Sequence, residues 1–184
     1  MNQRTLCFPV RGNPAREVLL GLKKAGFGAG KYAGFGGKVE AGETITTAAL
    51  RELWEEAGLE AQEAALRPVA HLTFLFPARP TWSQEVHVFL VTAWEGTPRE
   101  SPEMRPAWFP VDRLPLAQMW QDGAYWLPRI LAGERVRATF TFGEDNETVV
   151  HASLETTPPS APSIAASSRR DPGLRTKDRG PRTR

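Results

Sequence analysis

The stretch GKVEAGETITTAALRELWEEAGL, Gly37 to Leu59, runs from glycines through threonines into a segment with three glutamates, Glu52, Glu55 and Glu56, inside five positions. Thr44 or Thr46 can cap a helix here. Ala49, Leu53 and Ala57 recur every four residues as its apolar face, and Gly58 stands where a left-handed residue often ends a helix. On such a helix the three glutamates fall within an arc of roughly 100°, with Glu52 and Glu56 beside the apolar stripe. Like charges so placed oppose each other, more strongly when partly desolvated. Arg51 is expected to project to a different side and Lys38 lies on the preceding loop, so a counter-charge is still needed. A hard divalent cation such as Mg²⁺ takes carboxylate oxygens and commonly brings phosphates with it. A solvated acidic face is the plain alternative.

Outward from this helix, TLCFPV and REVLLGL read as two strands around the turn material RGNPA, forming a hairpin. Gly26 to Glu43 reads as a glycine-rich loop with short extended pieces. Downstream, VAHLTFLF and EVHVFLVTAW form a further strand pair, and EMRPAWFPVDRL is a short strand running into a loop. GAYWLPRILAG has helical spacing with Pro128 placed near its first turn, and TFTFGEDNETVVHASLE closes as a hairpin. Strands alternating with two helices predict an α/β fold with a mixed sheet packed between helices.

Gly37, five residues, Glu43, seven residues, Arg51-Glu52-Leu53, one residue, Glu55-Glu56, one residue and Gly58-Leu59 resemble the Nudix signature at every fixed position. The resemblance implies the Nudix α/β/α sandwich and hydrolysis of a nucleoside diphosphate linked to another group. It implies that Glu52, Glu55 and Glu56 hold Mg²⁺, helped by the Gly36 carbonyl, while Glu43 and Arg51 orient the loop and the glutamates. Mn²⁺ is the possible substitute. Metal-assisted attack of water on a phosphoryl group also needs a proton acceptor. Glu52, Glu55, Glu56 and the distant Glu103, itself a possible metal ligand, are all candidates.

The segments LLGLKKAGFGAG, EVHVF, EGTPRESPEMRPAWF and MWQDGAYWLP resemble the oxidised-purine nucleoside triphosphatases homologous to MutT, over roughly residues 3 to 155. That resemblance implies 8-oxo-dGTP or a related nucleotide as substrate, split to monophosphate and pyrophosphate. It makes Phe27 and Trp120 the aromatics flanking the purine. Thr5, Lys23, Phe74 and Met104 become further pocket positions, and Asp122 the first of two aspartates on the base edge. Ala33 stands in place of a pocket asparagine and Gly123 in place of the second aspartate, which weakens discrimination between close analogues. A broad (d)NTP pyrophosphatase is therefore the alternative enzyme, and a non-catalytic nucleotide-binding module the alternative outside catalysis.

The composition, 41% hydrophobic and 24% charged, is that of a globular protein. With no long apolar run and no signal-peptide pattern, no membrane association is expected, and a cytoplasmic monomer is. The single Cys7 reads as packing, as do Trp54, Trp94, Trp108 and Trp126. His71, His87 and His151 lack metal-ligand spacing and read as structural. Residues 1–156 form the expected domain. Residues 157–184 carry seven Lys and Arg against two Asp, so the formal net charge of +2 divides into +5 on this tail and −3 on the body. Rich in Pro and Ser, the tail is expected to be disordered, and nucleic-acid binding is unlikely apart from its basic residues, through which recruitment to RNA is a further reading.

Overall fold

The computed structural model describes residues 1–158; the disordered-tail expectation for the remainder lies outside the described residues. The strands are β1 (Asn2–Arg11), β2 (Glu17–Lys23), β3 (Tyr32–Ala33), β4 (Leu66–Leu75), β5 (Gln84–Val91), β6 (Met104–Pro110), β7 (Arg135–Phe142) and β8 (Val149–Thr157). The two α-helices are α1 (Ile45–Ala57) and α2 (Gly123–Leu131). The strands form one mixed sheet in the order β3-β2-β1-β5-β4-β7-β8, with β6 also paired to β2. No described helix is long and apolar enough to cross a membrane.

The first two strands do form a hairpin, but a short one. They pair only at Val10↔Val18 and Arg11↔Glu17, whereas β1 runs parallel to β5 along its length, from Asn2↔Gln84 to Pro9↔Val91. Beyond Val18 the two strands part. Bridges Cys7↔Phe35 and Arg4↔Lys38 lay the glycine-rich segment along β1 instead. That splay opens the sheet where the site forms.

Helix α1 begins as its sequence requires. Thr44 caps it, its hydroxyl accepting the Thr47 N–H at 3.1 Å, and Gly58 ends it at φ 69, donating its N–H to the Trp54 carbonyl. Ala49, Leu53 and Ala57 are fully buried against Cys7, Leu19, Phe35 and Phe89. Burial of a side chain such as Leu53 contributes roughly 1.5–3 kcal/mol. On the other face of the sheet, Trp126, Leu127 and Ile130 of α2 pack on Phe8, Leu72, Val88 and Phe140. The result is an α/β/α sandwich.

Two expectations are corrected here. Helix α2 starts at Gly123, so Pro128 is its sixth residue and lies past the first turn. It deletes only the N–H that would reach the Ala124 carbonyl, and its ring is on the exposed side of a short helix. Trp54 does not pack into the core: it is 52% exposed, with the Arg99 guanidinium 5.6 Å from its ring. Trp94 and Trp108 stack on each other at 5.8 Å and Trp126 is buried, as packing residues should be. His151 is exposed on β8.

Candidate active site

The three glutamates of α1 differ sharply in environment. Glu55 is exposed, Glu52 is half-buried, and Glu56 is buried at 6% exposure. Glu56 accepts the Gly36 N–H at 2.8 Å. The flanking carbonyls of Phe35 and Gly37 accept the Cys7 and Thr5 N–H groups, whereas Gly36 meets Glu56 through its own N–H. Close approach makes Gly36 necessary, because a Cβ there would strike the Thr5 carbonyl, while one on Gly37 would push the Glu52 carboxylate aside.

Arg51 corrects the sequence reading, because it does not turn away from the glutamates. Its guanidinium grips Glu43 through two bonds of 2.7 and 2.9 Å and donates to Glu52 at 2.7 Å, to Glu55 at 3.3 Å and to the Lys38 carbonyl at 3.1 Å. The long side chain curls back across the helix surface, a reach that angular position at Cα does not convey. Glu43 also accepts the Glu40 N–H at 2.9 Å, and the Arg51 bond chiefly holds its pKa down, to about 2. The same contacts raise that of Arg51.

One arginine does not neutralise four carboxylates, and Glu56 is beyond its bonds. Burial foremost, and then the charges of Glu52 and Glu103, push the Glu56 pKa up to about 7 against the opposing Gly36 bond and Lys23. Negative charge therefore converges on a buried group to which no cation among the described residues is bonded. A divalent ion would reverse that imbalance, and three carboxylates with a nearby backbone carbonyl are the oxygen donors a hard cation takes. The donor set fits such an ion. Glu103 is exposed just before β6 and close enough for its charge to act on Glu56; its carbonyl accepts the Lys24 N–H at 2.9 Å.

Glu56 and Gly36 also line a cavity of ≈ 190 Å³. All seven positions read as base pocket line the same cavity: Thr5, Lys23, Phe27, Phe74, Met104, Trp120 and Asp122. They come from β1, β2, the glycine-rich loop, β4, β6 and the segment leading into α2. The Thr5 hydroxyl is buried and has no hydrogen-bond partner among the described residues. Asp122, 5% exposed, accepts the Trp126 indole N–H at 2.8 Å, and burial outweighs that bond to push its pKa up to about 6. Phe27 and Trp120 touch each other, centroids 4.8 Å apart, so a base lying between them has to part the rings. Sequence reasoning missed Trp82, which packs edge-on against Phe27 at 4.7 Å from a turn-rich segment carrying no signal. It missed Arg4, Leu6 and Gln84 on the cavity wall as well.

The NUDIX domain family model matches residues 1–130. This chain belongs to the Nudix family. Two relatives, the oxidized purine nucleoside triphosphate hydrolases of Mus musculus and Danio rerio, are 46% identical over 139 residues and 47% identical over 135. These alignments cover 76% and 73% of this chain and 86% and 85% of the relatives. The crystal structure of a MutT protein from Bacillus halodurans superimposes with a TM-score of 0.71 at 25% identity, covering 84% of this chain and 98% of that one. The protein is thus a Nudix hydrolase, and Nudix hydrolases generally use a divalent metal. Two larger clefts, ≈ 560 and ≈ 690 Å³, include neither the signature glutamates nor the aromatic pair.

Proposed function

We propose that this Nudix hydrolase is a Mg²⁺-dependent pyrophosphohydrolase of purine nucleoside triphosphates, with 8-oxo-dGTP or another oxidised purine as preferred substrate. The products would be a monophosphate and pyrophosphate, and the role nucleotide-pool sanitation. The observation that carries this reading is the single cavity in which Glu56 and Gly36 adjoin Phe27, Trp120, Thr5 and Asp122. A polyphosphate placed at the glutamates would put its base among the aromatics. The names of the mouse and zebrafish relatives support the same substrate class.

In this reading Glu52, Glu55, Glu56 and the Gly36 carbonyl hold the ion, with Glu103 able to approach from the loop before β6. Mg²⁺, replaceable by Mn²⁺, supplies charge neutralisation at phosphate oxygens and a water made acidic enough to attack. Arg51 and Glu43 hold Glu52 and Glu55 in place through the bonds described above. Trp120 and Phe27 stack on the purine, Phe74 and Met104 bound it, Lys23 adds positive charge, and Thr5 and Asp122 offer hydrogen bonds to it. A proton-accepting carboxylate among Glu52, Glu55, Glu56 and Glu103 completes the chemistry. We take residues 1–156 as the catalytic domain and a monomer as the working unit.

A second reading, a broad (d)NTP pyrophosphatase, is favoured by Ala33 on the cavity wall and by Gly123, where a Cβ would meet Met119 only at van der Waals distance, 3.8 Å. Neither position can hydrogen-bond a base through its side chain. Pyrophosphate release from a panel of oxidised and normal triphosphates separates the two: equal kcat/KM for 8-oxo-dGTP and dGTP would overturn the sanitation reading. No turnover of any diphosphate compound would leave a nucleotide-binding module.

A further inference from the structure

The α1 side of the sheet is apolar only where the helix covers it. Along β1 and β5, Cys7 and Phe89 give way to Gln3, Thr5, Glu85 and His87, and β4 adds His71 and Thr73 to this face. His71 and His87 are direct cross-strand partners, and Glu85 lies two residues from His87 on the same face. Direct partners bring side chains within contact distance and diagonal ones remain within reach of long side chains. Here one ligand atom from each of His71, Glu85 and His87 lies within 4.8 Å of the others. Pairing between strands thus brings His71 and His87 into a proximity that their spacing along the chain does not show.

We propose that His71, His87 and Glu85 form a second metal site, for a divalent transition metal of the Zn²⁺, Ni²⁺ or Co²⁺ class, separate from the hydrolytic centre. The ligand set is two imidazoles and a carboxylate, donors that suit those ions better than Mg²⁺. His71 Nε2 is already 3.7 Å from Glu85 Oε2. Ligand atoms around an ion at about 2.0–2.1 Å stand roughly 3–3.5 Å apart, so modest side-chain rotations close the triangle. Gln3 links the other edge, its Oε1 2.6 Å from His87 Nε2 and its amide donating to Glu85 Oε2 at 2.6 Å. The amide must swing aside for the ion or add its oxygen as a further donor.

Two features make the place accessible and electrostatically suitable. His71 and Glu85 keep 28% and 34% side-chain exposure, and both histidines line the ≈ 560 Å³ cleft across this face, so water can complete the coordination. The nearest cation along the row is Arg137, paired with His71 in register, and it faces Glu155 on the next strand. An ion here ties β4 to β5 at mid-strand. Its effect falls on stability rather than hydrolysis.

The test titrates CoCl₂ into the full chain in excess Mg²⁺, which keeps the α1 carboxylates occupied, while visible absorption is read. One equivalent of Co²⁺ should bind, and the signal should be lost in His71→Gln and His87→Gln but kept in Glu56→Gln. His71→Gln should hydrolyse nucleotide in Mg²⁺ at the wild-type rate. Zn²⁺ at about a hundred times its Kd should raise the wild-type Tm by roughly 5–10 °C. The ring resonances of His71 and His87 should shift together on Zn²⁺ addition while those of His151 stay put, a readout that needs no substitution. Absence of Co²⁺ binding, a signal that survives His71→Gln, or one that disappears in Glu56→Gln would overturn the proposal.

Discussion

The two halves of the proposed nucleotide site are built in opposite ways. The acidic half is compact in sequence: Gly36 to Glu56 supplies all its charged groups but Glu103, an arginine joining carboxylates one, four and eight residues away. The proposed base half is scattered from Thr5 to Asp122 over several elements, beside the place where β1 and β2 part. The comparison teaches that reaction chemistry resides in a self-contained local unit, while substrate choice depends on how distant segments converge. Damage to the first should lower turnover on every substrate. Damage to the second should change which substrate is used.

The largest effect should come from Glu56→Gln, which keeps the shape of the side chain and removes its charge. The kcat should fall about 10³-fold or more on all triphosphates. Nucleotide binding measured by calorimetry should remain, and a loss confined to 8-oxo-dGTP would erase the division between the two halves. Next in size is Glu43→Gln, which weakens the grip on Arg51 without removing a proposed ligand. Activity should fall about 10–100-fold, with the Mg²⁺ concentration for half-maximal rate rising.

Trp120→Ala sharpens the other side of the comparison. Losing a stacking face costs about 1–3 kcal/mol, read as a rise in KM for purine triphosphates while the Mg²⁺ dependence of the rate stays where it was. The smallest effect concerns pH. The Asp122 pKa is raised from 3.8 to about 6 in the folded protein, so its neutral form is favoured by the fold. Its contribution to stability is fully present below the unfolded value and is lost as pH rises through about 6. Melting curves across that window should show this decline in the wild type, and Asp122→Asn should make it shallower, leaving the part due to Glu56, whose pKa is likewise raised, to about 7.

What could be read from the chain alone were features whose partners lie within one or two helical turns or that follow a recurrent pattern. The cap at Thr44, the stop at Gly58, the apolar stripe of α1 and the acidic patch are all of this kind. The strand pairs β4–β5 and β7–β8 belong with them, because hydrophobic runs around short turns specify their neighbours. The positions proposed for the base pocket came through family resemblance, since spacing alone says nothing about why Thr5 and Asp122 should line one cavity.

Tertiary structure decided the rest. It turned the Arg51 side chain onto the glutamates, set β1 beside β5 in parallel, placed Trp82 behind Phe27 and made His71 face His87. Each of these outcomes depends on side-chain reach or strand register. Those are fixed only when the whole sheet closes around its two cores and residues far apart in the chain compete for the same space.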